Sequence, residues 1–128
     1  MTIEEEIQNK LESIESIRNY IAKTDIYAFI SPTNPPKCFI RWNIIGETST
    51  AKTLNISQSL QTLTLNISVF SNTLLAGRFI TNEIRKAFSI TNKQNLIRSA
   101  YITAISPIVE DKQTFHFPLT LTIFYNSK

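Results

Sequence analysis

LQTLTLNISVFSNTLLAGRFITNEIRKAF, residues 60–88, decides the fold. Over residues 59–71 apolar and polar side chains alternate. Leu63, Leu65, Ile67 and Val69 point one way, and Thr62, Thr64, Asn66 and Ser68 point the other. That is the period of a β-strand with one wet face. From residue 73 to residue 89 the period lengthens. Leu75, Ala76, Phe79, Ile80, Glu83, Ile84, Ala87 and Phe88 recur at three- and four-residue steps, which predicts a helix with Asn72 or Thr73 as its cap.

Upstream, residues 37–45 (KCFIRWNII) read as a second strand, with Cys38, Ile40, Trp42 and Ile44 on one face and Phe39, Arg41, Asn43 and Ile45 on the other. Between the two strands, residues 46–58 (GETSTAKTLNISQ) are polar and read as a long loop or a flexible β-arm; loops of that length without structure are uncommon in compact domains and often functional. Pro32, Pro35 and Pro36 make residues 24–36 a loop. Residues 2–23 read as a helix. Thr2 and Glu5 have the spacing of a capping box, and Ile3, Ile7, Leu11, Ile14, Ile17 and Ile21 form one apolar stripe. Downstream, residues 98–108 and 113–126 alternate and are joined near Glu110-Asp111-Lys112, as in an antiparallel hairpin. The order α-β-β-α-β-β predicts an α+β fold: a mainly antiparallel β-sheet of about four strands with two helices packed on one face, in a single domain over residues 1–128.

Composition agrees with a folded domain. Of 128 residues, 42% are hydrophobic and 18% charged, enough apolar surface for one core and unlike a disordered chain. The net charge of +3 is uneven: residues 1–23 carry five acidic and three basic side chains, leaving +5 for the remainder. No dense Lys/Arg run marks a dedicated nucleic-acid reader. Cys38 is the lone cysteine, so an intrachain disulfide and a cysteine zinc cluster are both ruled out. The acidic amphipathic N-terminus is unlike a signal peptide, and no apolar run has the length of a membrane span. A soluble protein made in a cytoplasm is expected.

Chemistry is sparse. Nucleophilic catalysis needs a base beside a Ser, Thr or Cys. The only histidine, His116, sits between Phe115 and Phe117 in an alternating strand, and Cys38 has no motif around it. Glu4, Glu5 and Glu6 are consecutive helical residues that point in different directions, so they read as a solvated first turn and not as a metal site. Two glycines in the whole chain, Gly46 and Gly77, allow no phosphate-cradling loop. No catalytic, metal or cofactor site is expected. A four-stranded sheet with two helices also describes an RNA-recognition module, but that fold begins with a strand and carries a signature absent here, and Phe115 and Phe117 fall on the more apolar face.

The layout resembles a known family. An acidic N-terminal helix leads through a proline-containing segment to a strand bearing Trp42. A polar loop and an alternating strand ending in Val69-Phe70-Ser71 follow. A helix of the form Ala76, Ile80, Ile84, Ala87-Phe88 comes next, and a β-hairpin closes the chain. This is similar to the tail-completion, or tail terminator, proteins of long-tailed bacteriophages and related gene-transfer particles. The resemblance implies a non-enzymatic virion protein of the tail or neck, made in the host cytoplasm. It implies a homo-oligomeric ring, commonly a hexamer, that caps the tail tube. Its partners would be the major tail tube protein and a head-completion or connector protein, with DNA passing non-specifically. Another neck component and a small nucleic-acid-binding module are the alternatives. Aromatic residues dominate interface energetics, which makes Phe39, Trp42 and Phe70 candidate anchors if exposed. The segment from Gly46 is a candidate arm, and Lys52, Arg78, Arg85, Lys86 and Arg98 are candidate contacts to subunits or channel. Channel linings in the family are often acidic, whereas this domain beyond its first helix is basic.

Overall fold

The computed structural model describes residues 2–30, 32–49, 60–89, 97–104, 108–111 and 114–126. The first helix, α1 (Ile3–Glu12), begins on the expected capping box. The Thr2 hydroxyl accepts from the Glu5 amide at 3.1 Å, and the Thr2 amide donates to Glu5 Oε1 at 3.1 Å. The helix ends at Glu12, well short of the residue 23 expected. Ser13 turns its hydroxyl back onto the Lys10 carbonyl, Ile14 is extended, and Glu15–Ile17 and Lys23–Asp25 form single 3-10 turns. Serine competes with the helix in this way because its side chain bonds the backbone locally. The freed carbonyls of the last turn are taken up by the Arg18 guanidinium, which donates to the carbonyls of Leu11, Glu12 and Ile21. The apolar stripe survives the break: Ile3, Ile7, Leu11, Ile14, Ile17 and Ile21 are all buried.

The sheet is larger and more mixed than the four strands expected. β1 (Ile26–Ala28) lies in the proline-rich segment read as loop and pairs parallel with β2 (Phe39–Ser49). β2 pairs antiparallel with β3 (Leu60–Ser71), and β3 pairs antiparallel with β6 (Thr114–Asn126) over twelve residue pairs. Both β4 (Ile97–Ala104) and β5 (Ile108–Asp111) run antiparallel along the far side of β6, so the predicted hairpin exists with its first arm in two pieces. The order is β1-β2-β3-β6-β4, with β5 beside β6. The second helix, α2 (Leu74–Ser89), follows β3 as its sequence predicts, with the Thr73 hydroxyl accepting from the Ala76 amide.

Gly46–Ser49 are strand, in line with the β-arm reading of residues 46–58 and not with the loop reading. They prolong β2, past a bulge at Ile45 that shifts the register between Ile44 and Gly46. The extra residue returns Glu47 to the face of Leu63, where an unbroken alternation would have turned it away. The rest of that segment lies outside the described residues.

Both helices cover one face of the sheet. Leu63, Leu65, Ile67 and Val69 meet Leu119, Leu121 and Ile123 across β3–β6, and Ile7, Leu11, Ile80, Ile84 and Phe88 close over them. Gly77 is forced by this packing. A Cβ there would stand 1.9 Å from the Phe117 ring, so only a hydrogen lets α2 approach β6.

Candidate functional site

The open face of the sheet, away from the helices, carries an aromatic ladder. Phe39, Phe70 and His116 are direct cross-strand partners on β2, β3 and β6. Their rings stack nearly parallel, with centroids 4.6 Å and 4.4 Å apart. Tyr27 meets Phe39 edge-on at 6.0 Å, and the Arg41 guanidinium lies 5.4 Å from the centre of Phe70. Pro35, Pro36 and Asn72 help to wall a groove of about 780 Å³ beside the ladder. Stacking of nucleobases needs free ring faces. Here each ring covers its neighbour, which makes the ladder a cross-strand packing feature and a poor base platform.

Cys38 and His116 cannot act together. Cys38 packs in the core beneath the sheet, its thiol directed to Asn72 Oδ1 at 3.5 Å, whereas His116 belongs to the open face. Among the described residues no group of three or more His, Cys, Asp or Glu side chains is placed to hold a metal ion. No described helix is long and apolar enough to cross a membrane.

Trp42 corrects the expectation of exposed aromatic anchors. It is 1% exposed, and its indole Nε1 donates to Gln8 Oε1 at 2.7 Å. Gln8 in turn donates to the Ile26 carbonyl at 3.1 Å, which ties α1 to β1. Phe39 is also buried, and Phe70 is half-buried within the ladder. Nor is the first helical turn wholly solvated. Glu4 and Glu5 are exposed, but Glu6 is buried and its Oε2 accepts from the Ile97 amide at 3.0 Å, anchoring β4.

The basic candidates divide. Arg78, Arg85 and Lys86 occupy the exposed arc of α2, and Lys86 pairs with Glu83 at 3.1 Å. Gly46 is exposed in β2 beside the bulge, Arg98 belongs to β4, and Lys52 lies outside the described residues.

The surfaces that sequence periodicity missed are apolar. Leu75 and Phe79 fit the helical stripe of α2, yet they are 81% and 40% exposed, and Phe79 meets the exposed ring of Tyr20 at 5.8 Å. At the opposite edge of the sheet, Phe29 and Ile30 are 52% and 80% exposed. Phe29 adopts φ 71°, a left-handed conformation that L side chains enter at a cost of about 1–2 kcal/mol. Its amide donates to the Trp42 carbonyl at 2.7 Å, and its ring leans on Trp42 at 5.6 Å. The only sequence signal at this turn is a Phe-Ile pair ahead of prolines, and nothing in it distinguishes exposure from burial.

Small α+β domains with a two-helix layer on one face of a mixed sheet are the class this geometry defines. No protein-family model matches the chain, and no curated protein matches it. Among solved structures, it is similar to a chain of one titled "Virion of native gene transfer agent (GTA) particle". The TM-score is 0.67, with 94% of this chain and 91% of that chain covered at 11% sequence identity. At that identity the two chains share a fold.

Proposed function

We propose that this chain is a non-enzymatic structural component of a phage-like particle. In detail, it is a ring-forming tail terminator that caps the tail tube and offers its other side to a head connector. The observation that carries the proposal is the common fold with a virion chain, which spans more than nine-tenths of both. Two further features support it. Cys38 and His116 are held on opposite faces, as the geometry above requires. Among the described residues, exposed apolar side chains stand in several separate places, including Phe29–Ile30, the outer arc of α2 and Ile108–Val109 on β5, as a protein with neighbours on more than one side would present them.

The test combines two measurements. Native mass spectrometry of the purified protein across concentration reads the assembly, and a closed ring of one discrete size is expected. Added to tube protein during polymerisation, the ring should stop growth and leave short tubes of fixed ends. Unlimited growth in its presence would point to another neck position. A chain that stays monomeric and binds DNA with steep salt dependence would point to the nucleic-acid module instead.

A further inference from the structure

Two of the exposed apolar surfaces differ in charge. The first is a groove of about 480 Å³ at the β1 edge, lined by Ile26, Phe29, Ile30 and Trp42 together with Glu4 and Glu5. The second is the outer arc of α2, where Leu75 and Phe79 project beside Arg78, Arg85 and Lys86. One is a concave apolar surface with acidic side chains in its lining; the other is a convex apolar surface with a basic rim. They also lie on different halves of the molecule, because α1 packs over β1 whereas α2 packs over β3, β6 and β4.

We infer that the α2 arc of one copy of this chain docks into the β1-edge groove of the next. The contact is head-to-tail, so every copy uses both surfaces and the series can close into a ring. The inference rests on the ring proposed above and names the surfaces that build it. Charge complementarity fixes the occupant as a second copy: the acidic lining favours a basic partner, and the chain itself carries one on the other half. Phe29 adds an independent argument. A left-handed residue exposing half of an aromatic ring is costly in an isolated chain, and such strain persists where the residue has a task. A second copy seated in the groove would cover that ring.

Cysteine pairing tests this without depending on affinity. Ile30→Cys and Leu75→Cys replace exposed side chains, and the natural chain, whose sole thiol Cys38 is buried, serves as the blank. Under mild oxidation the double variant should give a ladder of disulfide-linked oligomers. A mixture of the two single variants should give a heterodimer and nothing larger. Both products should form about tenfold faster than those of a control pair of Asn19→Cys with Leu75→Cys, because docking raises the local thiol concentration. Reversing the charges at Glu4 and Glu5, or at Arg78 and Arg85, should slow the reaction, and reversing both sets should restore it. Cross-linking no faster than the control, or a faster homodimer from Ile30→Cys alone, would overturn the docking. If native mass spectrometry still shows a ring in that case, the ring stands and only this pairing of surfaces falls.

Discussion

At Gly77 a single hydrogen decides how closely helix and sheet approach. A Cβ at this position would overlap the Phe117 ring, with its three nearest atoms at 1.9, 2.5 and 2.6 Å. Gly77→Ala would gain about 1 kcal/mol of helix propensity. Overpacking a tight core costs about 1–3 kcal/mol, and an overlap this deep belongs at the upper end because Phe117 is itself buried. The expected outcome is a net loss of about 1–2 kcal/mol in urea unfolding, partly recovered by adding Phe117→Leu. An unchanged or raised midpoint would refute the close approach. The other glycine, Gly46, has open space around it, so neither glycine serves a sharp turn. The left-handed position goes to Phe29 instead. Tyr125 shows a second residue-scale effect. Burial first, and then the Glu47 carboxylate that its hydroxyl meets, hold its phenol well above the ordinary value.

Among the elements, local periodicity made some legible and left others hidden. β3 and α2 follow from residues 60–88 almost to the residue, because the change from alternation to a helical period is a local signal. The cap of α1 was equally readable, since Thr2 and Glu5 are three residues apart. The break at Ser13 was not, because the 3-10 turns keep Ile14, Ile17 and Ile21 in the spacing of a continuous helix. β1 escaped notice because three residues in a parallel pair depend on Ile40–Trp42, far along the chain. The same limit applies to the exposed apolar surfaces: Leu75 and Phe79 satisfy the helical period while facing outward. One inter-element tie has a pH signature. Ser16 donates to Glu83 Oε1 at 2.6 Å, and this bond, with Lys86 behind it, lowers the Glu83 pKa below the ordinary 4.5. A carboxylate depressed in the folded state stabilises it above the unfolded value, and the contribution is lost as pH falls through the folded one. Glu83→Gln should therefore lose part of the drop in urea midpoint seen between about pH 6 and about pH 3. An identical drop in both proteins would show that Glu83 does not couple the first 3-10 turn to α2.

For the whole molecule, charge is unevenly distributed. Glu4 and Glu5 of the first turn and the basic arc of α2 are solvent-facing, so an attraction between them across copies would be screened by salt. If copies dock through them, the assembled fraction seen by light scattering should fall as salt rises from about 50 mM to about 500 mM. Assembly that strengthens over that range would mean that the apolar contacts act alone. The fold class was legible from sequence because element order fixes which layers can form. The β1 edge and the groove beside it were not, since they arise only when separate segments meet.

The place of β6 has a consequence for how the chain is made. The central pairing of the sheet joins Leu60 to Asn126 and Ser71 to Phe115. Strand β3 is therefore synthesised long before its inner partner exists. Until β6 has left the ribosome, β3 can be paired along its β2 edge only. The buried Glu6 likewise waits for Ile97. Long-range pairings of this kind slow folding and leave strand edges open to other chains. Translation must thus run nearly to the end of β6 before the domain can close, and a cell making many copies at once exposes many half-built sheets to one another.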